Sequence, residues 1–155
     1  MLRVLIADDE SKVCQLIEKL VDWGALGMEV VAVAENGIEA LEKIKEFYPD
    51  IVITDIRMPG YDGLDLIRLG KEEAPNTEFV IISGYRHFEY AQMAIRYGVN
   101  AYLLKPIRKD ELTETLKRLS AHFKEQTEQL SLEEKRQRAI RSDEKNLRQA
   151  FLQDL

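Results

Sequence analysis

Five short apolar runs alternate along this chain with longer stretches whose apolar residues recur at helical spacing. The runs Arg3–Ala7, Glu29–Ala34, Ile51–Thr54, Glu78–Ser83 and Ala101–Leu104 are rich in Val, Ile and Leu and nearly continuous. That pattern predicts strands of a parallel sheet buried on both faces. Between them, Ser11–Val21, Ile38–Phe47, Leu64–Glu73 and Phe88–Tyr97 place apolar residues three and four apart, which predicts amphipathic helices, and a last helix begins near Lys109. Punctuation supports these borders. Ser11 is placed to cap the first helix, Asn36-Gly37 follows the second strand, Pro49 ends the second helix, Pro75-Asn76 ends the third, and Gly98 stands where a C′ residue would. Strands alternating with helices of this length imply right-handed crossovers and a doubly wound α/β sheet.

From Lys109 onward the pattern predicts one long helix, because neither Pro nor Gly occurs from Ile107 to Leu155. Leu112, Leu116, Leu119, Phe123 and Leu130 mark an apolar stripe, and Ile140, Leu147 and Phe151 resume it after a polar interval. Leu116, Phe123 and Leu130 fall seven apart, as do Ile140 and Leu147, which resembles a coiled-coil seam with a break in register. The competing expectation is a helix that stops near Phe123, followed by a solvated linker. The expected division is a domain over 1–120 and a helical extension over 121–155, able to pair as a coiled coil.

A length of 155 residues suits one ordinary domain plus an extension, and 45% hydrophobic with 32% charged residues is a globular composition. No apolar stretch approaches the roughly 20 residues needed to span a bilayer, and no secretory signal precedes the first strand, so the expected address is cytoplasmic. Residues 1–119 carry 15 Lys+Arg against 21 Asp+Glu, and residues 120–155 carry 7 of each. Neither part has a basic nucleic-acid footprint, so direct DNA or RNA binding by this chain is not expected. Cys14, the single cysteine, lies in an amphipathic stretch and is expected to be a buried, inert thiol.

The ends of the runs carry the candidate chemistry. Asp8 and Asp9 close the first, Asp55 the third, Ser83 the fourth, and Lys105 the fifth, ahead of Pro106. Ligands of open parallel sheets bind in the crevice beyond the strand C-termini, so these residues should converge although they are far apart in sequence. Three carboxylates in one crevice repel one another, and a divalent cation removes that conflict. Oxygen ligands with open positions suit Mg²⁺. Lys105 adds a point charge for Asp55 or for a phosphoryl oxygen, and Ser83 adds a hydroxyl. Together they suit in-line phosphoryl transfer onto a carboxylate. Taken singly, each piece has a plainer meaning. Asp8 or Asp9 alone is a turn residue, Ser83-Gly84 an ordinary turn, and Lys105-Pro106 a chance pair. Asp62-Gly63 reads as a turn and cap, Asp50 as the residue leading into the third strand, and Arg57, Arg86 and His87 as surface loop residues. His87 has no second His or Cys at ligand spacing, which disfavours zinc.

The segments VLIADDE, ITDIRMPGYDGLDLI, VIISGY and YLLKPI, in this order and spacing, resemble the signature of the response-regulator receiver domain of bacterial two-component systems, from about Leu2 to Leu119. The resemblance implies a five-stranded parallel sheet of order 2-1-3-4-5 with five helices, the last extended. It implies phosphorylation of Asp55 by a sensor histidine kinase, with Mg²⁺ held by Asp55, by Asp9 directly, by Asp8 through water, and by the backbone carbonyl of Arg57. Ser83, the amide of Gly84 and Lys105 would contact the phosphoryl group. Ser83 and Tyr102 would act as the switch pair, and the Lys105–Pro106 bond would be cis. Movement of Ser83 would let Tyr102 rotate inward and remodel the face of helix four, strand five and helix five. That face and the C-terminal helix are the expected homodimer surfaces.

More narrowly, SGYRHFEYAQMAIRYGVNAYLLKPI resembles receivers of AraC-type helix-turn-helix transcription regulators, in which a DNA-binding domain follows a helical linker. This chain stops within what would be that linker, so it is expected to be a fragment of a longer regulator, with DNA binding in a missing domain, in preference to a stand-alone receiver with a helical tail. The module is then not an enzyme beyond its own phosphorylation and dephosphorylation. Two rivals differ in kind. A Mg²⁺-dependent phosphohydrolase or nuclease also places acids at strand ends, but should show a further general base and a basic substrate groove. A pseudo-receiver that only dimerises would leave the site idle. A dinucleotide-binding domain is disfavoured, because ADDESKV stands where GxGxxG would.

Overall fold

The computed structural model describes residues 1–84 and 88–153, with side chains at all of these except 88 and 141–153. Five strands, β1 (Leu2–Ala7), β2 (Met28–Ala34), β3 (Ile51–Thr54), β4 (Glu78–Ser83) and β5 (Ala101–Leu104), alternate with α1 (Ser11–Leu20), α2 (Gly37–Phe47), α3 (Gly63–Glu73), α4 (Phe88–Arg96) and α5 (Lys109–Gln153). All ladders are parallel, in the order β2-β1-β3-β4-β5. The expected doubly wound sheet is therefore present, with every strand within one residue of its predicted span.

Burial explains why the apolar runs are continuous. Val4, Leu5, Ile6 and Ala7 are all buried, and since successive side chains point to opposite faces, β1 is covered on both. Leu5, Val52, Phe79 and Ile81 share one cluster with Ala40, Ile44, Leu66 and Ile67 of α2 and α3. Cys14 and Ile17 of α1 and Leu112 and Leu116 of α5 are also buried.

Local chemistry at the borders departs from expectation at one helix start. Ser11 is the first residue of α1, and the N-cap is Glu10, which makes no side-chain cap bond. Asp8 Oδ1 accepts from the Glu10 amide at 2.9 Å, within the turn that leads into the helix. At α3 the Asp62 side chain accepts from the Asp65 amide, as its turn-and-cap position predicts, and at α2 Asn36 accepts from the Glu39 amide. Gly98 lies just past α4 with φ +78°, and the Val99 amide reaches back to the Ala94 carbonyl. Asp50 does more than lead into β3, because its carboxylate accepts from the Arg3 amide at 2.8 Å and so ties β1 to the α2–β3 loop.

The chain divides into two units, Met1–Lys117 and Arg118–Leu155. In the second, α5 continues as helix to Gln153 and does not stop near Phe123. Leu130 and Ile140 are exposed on it, while the side chains of Leu147 and Phe151 lie outside the described residues, as do Arg86 and His87. Among the described residues no helix is long and apolar enough to cross a membrane.

Candidate functional site

Strand register assembles the site. Ala7 pairs with Thr54, and the Asp55 amide donates to the Ala7 carbonyl at 3.0 Å, so the residues after β1 and β3 leave the sheet side by side. On the other flank Ser83 pairs with Leu104, and the Lys105 amide donates to the Ser83 carbonyl at 2.8 Å. Adjacent parallel strands ending at one level thus bring together positions nearly a hundred residues apart.

Lys105 is the hub. Its Nζ lies 3.0 Å from Asp55 Oδ2 and 3.2 Å from Asp8 Oδ2. The two carboxylates are 8% and 3% exposed, against 22% for the lysine, so these are shielded ion pairs rather than solvated surface contacts. Asp55 Oδ1 also accepts from the Ile56 amide at 2.7 Å. Burial works against the Lys105 charge, yet the hydrogen bond and field of Asp55, reinforced by Asp8, outweigh it and hold the ammonium above its usual range. Asp8 is raised above its ordinary value, chiefly by burial and further by the charge of Asp55, although the Glu10 amide and Lys105 oppose the shift.

Asp8, Asp9 and Glu10 offer carboxylate oxygens within 4.8 Å of one another, the one such group of three among the described residues. Asp9 and Glu10 are exposed and Asp8 is buried, so the group opens outward from the crevice. Glu10 went unassigned in the sequence, since its usefulness depends on the turn that folds it back beside the two aspartates. The donors are all oxygens, with no thiolate or imidazole among them, which fits a hard divalent cation such as Mg²⁺.

The remaining expected residues surround this centre. Ser83 is fully buried, and its hydroxyl acts on the phenol of Tyr102. Burial raises the Tyr102 phenol, an effect the Ser83 hydroxyl opposes and the charge of Asp55 reinforces. Gly84 is exposed beside Lys105, where an added Cβ would stand 4.0 Å from Cδ. The Lys105–Pro106 peptide is cis. Arg57 is exposed in the β3–α3 loop, and its Nη2 donates to the Tyr90 hydroxyl at 3.2 Å, a link to α4 that sequence spacing does not reveal. Cys14 is buried as expected, its thiol pushed up to about 11 by burial and the charge of Asp8.

Comparison with known proteins agrees with this geometry. The family model of the response regulator receiver domain matches residues 4–117. The uncharacterized transcriptional regulatory protein YesN of Bacillus subtilis is 41% identical over 126 residues, covering 81% of this chain and 34% of YesN. Transcriptional regulatory protein HptR of Staphylococcus aureus is 36% identical over 129 residues, covering 83% of this chain and 50% of HptR. The chain thus spans a third to a half of these curated relatives. Among solved structures, the REC domain of AraT, a response regulator from Geobacillus stearothermophilus, superposes with a TM-score of 0.78 at 40% identity, over 81% of this chain and 98% of that one. The CheX-CheY-BeF3-Mg²⁺ complex from Borrelia burgdorferi matches with a TM-score of 0.68 at 25% identity, covering 74% of this chain and 86% of that one. With the sheet order, the acidic crevice and these matches in hand, the chain belongs to the response-regulator receiver family.

Proposed function

We propose that this chain is a phosphorylation-dependent signalling receiver whose acceptor is Asp55. The observation that carries this reading is the shared lysine, with Nζ within 3.2 Å of both Asp8 and Asp55 in a crevice that opens through Asp9 and Glu10. In the reaction an Asp55 oxygen attacks the phosphorus of a phosphohistidine on a sensor kinase. The new O–P bond forms as the N–P bond to the imidazole breaks, and the leaving nitrogen keeps the electron pair. Lys105 neutralises charge on the transferred group, and the Ser83 hydroxyl and Gly84 amide bond its oxygens. Asp8, Asp9 and Asp55 with the Arg57 carbonyl would hold Mg²⁺, which when bound supplies positive charge to the phosphoryl oxygens. The CheY complex that resembles this chain was itself crystallised with beryllofluoride and Mg²⁺.

Phosphorylation replaces a carboxylate by a group of nearly two negative charges with three acceptor oxygens. Drawing the Ser83 hydroxyl toward it takes that hydroxyl away from Tyr102, and the ring is then free to resettle against α4 and β5. That face, with α5, is the surface offered to a second copy. The relatives' names support a transcriptional output, and the resemblance of SGYRHFEYAQMAIRYGVNAYLLKPI to receivers of AraC-type regulators supports a DNA-binding domain of that type as the output. On this reading the chain works in the cytoplasm and turns over no substrate except its own acyl phosphate.

The test is intact mass after incubation with Mg²⁺ and a small phosphodonor, wild type beside Asp55→Asn. The wild type should gain one phosphoryl group and the variant none. Equal gain in both would move the acceptor elsewhere, and no gain in either would favour a pseudo-receiver.

A further inference from the structure

The connection between β2 and α2 contributes no candidate ligand, yet it touches both loops that do. On one side the Asp8 amide donates to the Ala34 carbonyl at 3.1 Å, which fixes the start of the β1–α1 loop. On the other, the Gly37 amide donates to the Pro59 carbonyl at 3.0 Å, within the loop that carries Arg57. Asn36, between them, is pinned as the N-cap of α2 through the Glu39 amide at 2.8 Å. A single turn anchored to a helix therefore sets the separation of the two loops.

Contact at Gly37 is closer than any side chain permits. An added Cβ would lie 1.7 Å from the Tyr61 carbonyl oxygen and 2.5 Å from its carbonyl carbon. Both are backbone atoms, so no rotamer change relieves the overlap. The β3–α3 loop is also seated from beneath, for a Cβ on Gly63 would lie 2.3 Å from the Asp55 carbonyl oxygen, and the Gly63 amide donates to the Ile56 carbonyl at 2.6 Å. Held by α2 on one side and by the start of α3 on the other, the stretch from Asp55 to Gly63 has one way to run. A side chain at Gly37 must displace the Tyr61 backbone, in the same loop that bears the Arg57 carbonyl.

We infer that Gly37 is a positioning residue for the cation site: by letting the β3–α3 loop rest directly on the first turn of α2, it sets the distance between the Arg57 carbonyl and the Asp8–Asp9 pair. This rests on the cation site proposed above. Residues that orient ligands without binding the metal typically change affinity by about 10–100-fold when altered, and a loop displaced by an added methyl group belongs in that class.

Gly70 provides the control. A Cβ there would meet Phe79 Cζ at 2.8 Å and Ile44 Cδ1 at 3.2 Å, a crowded position in the core near the N-terminal end of β4 and away from the strand C-termini. Titration calorimetry of Mg²⁺ into wild type, Gly37→Ala and Gly70→Ala, each with a thermal melt in chelator, separates positioning from stability. Gly37→Ala should bind Mg²⁺ about 10–100-fold more weakly. It should regain phosphoryl uptake when Mg²⁺ is raised, while Gly70→Ala loses stability and keeps wild-type affinity. Should Gly37→Ala fail to fold, Asn36→Ala loosens the same turn without a clash and should weaken Mg²⁺ binding in the same direction. Wild-type affinity in the folded Gly37→Ala protein, or in Asn36→Ala where that protein does not fold, overturns the inference, as does an equal loss in Gly70→Ala. A wild type that binds no Mg²⁺ overturns the cation-site reading itself, and this inference with it.

Discussion

Asp8 shows how a residue's identity and its surroundings can pull apart. Burial and the charge of Asp55 raise its carboxyl above the ordinary value of 3.8. A raised value means that Asp8 favours folding below that ordinary value and loses the benefit as pH climbs through the folded one. Near neutral pH the ionised group therefore works against the fold until a cation joins it. Asp8→Asn keeps an oxygen for the Glu10 amide and leaves Lys105 to Asp55. In chelator at pH 7 it should raise Tm by on the order of a few °C, and the pH dependence of stability in the range just above 3.8 should flatten. An unchanged or lower Tm, measured by calorimetry, would mean that Lys105 already compensates the charge. Ser83 and Tyr102 make a similar point, since sequence identifies both candidates but not that the Ser83 hydroxyl works against the rise that burial imposes on the Tyr102 phenol.

At the scale of elements, α5 joins two regimes under one helical pattern. Leu112 and Leu116 are fully buried, whereas Leu130, fourteen residues beyond Leu116 at the same heptad position, is 65% exposed. Leu116→Ala should cost about 2–5 kcal/mol in urea unfolding through lost burial and a residual cavity. Leu130→Ala should stay within about 0.5 kcal/mol in the monomer. If the second unit pairs with another copy, Leu130→Ala will instead weaken the dimer in sedimentation, and an unchanged dimer would exclude Leu130 from the seam. Helix starts carry a related lesson. Asp62 was legible as a cap from Asp62-Gly63, whereas Asn36 marked only the end of the second strand and proves to cap α2, which starts one residue before its predicted span. Ser11 looked equally suitable, but the helix begins one residue too early for it: Ser11 is already the first helical residue and Glu10 occupies the N-cap.

For the whole molecule, cation binding and folding should be linked, because the crevice exists only when the C-terminal ends of β1, β3 and β5 stand together along one edge of the folded sheet. A ligand that binds only the folded state stabilises it by about 1.4 kcal/mol at ten times its dissociation constant. Mg²⁺ should therefore raise Tm of the wild type progressively with concentration and leave Asp55→Asn with a smaller rise. Equal rises in both would place the ion outside the crevice.

Much of this was readable beforehand, for a physical reason. The apolar period distinguishes strand from helix without tertiary information, and right-handed crossovers leave few ways to assemble five such units, so strand spans, sheet class and the convergence of Asp8, Asp55, Ser83 and Lys105 followed from the sequence alone. Distances and contacts between loops obey no such period. That Lys105 bridges two carboxylates, that Glu10 turns back toward Asp8 and Asp9, that Arg57 meets Tyr90, and that Gly37 must lack a Cβ because the Tyr61 carbonyl occupies its place were decided only when the chain closed on itself. A residue's own chemistry is written at its position, but the atom it will touch is set by packing between segments that the sequence keeps far apart.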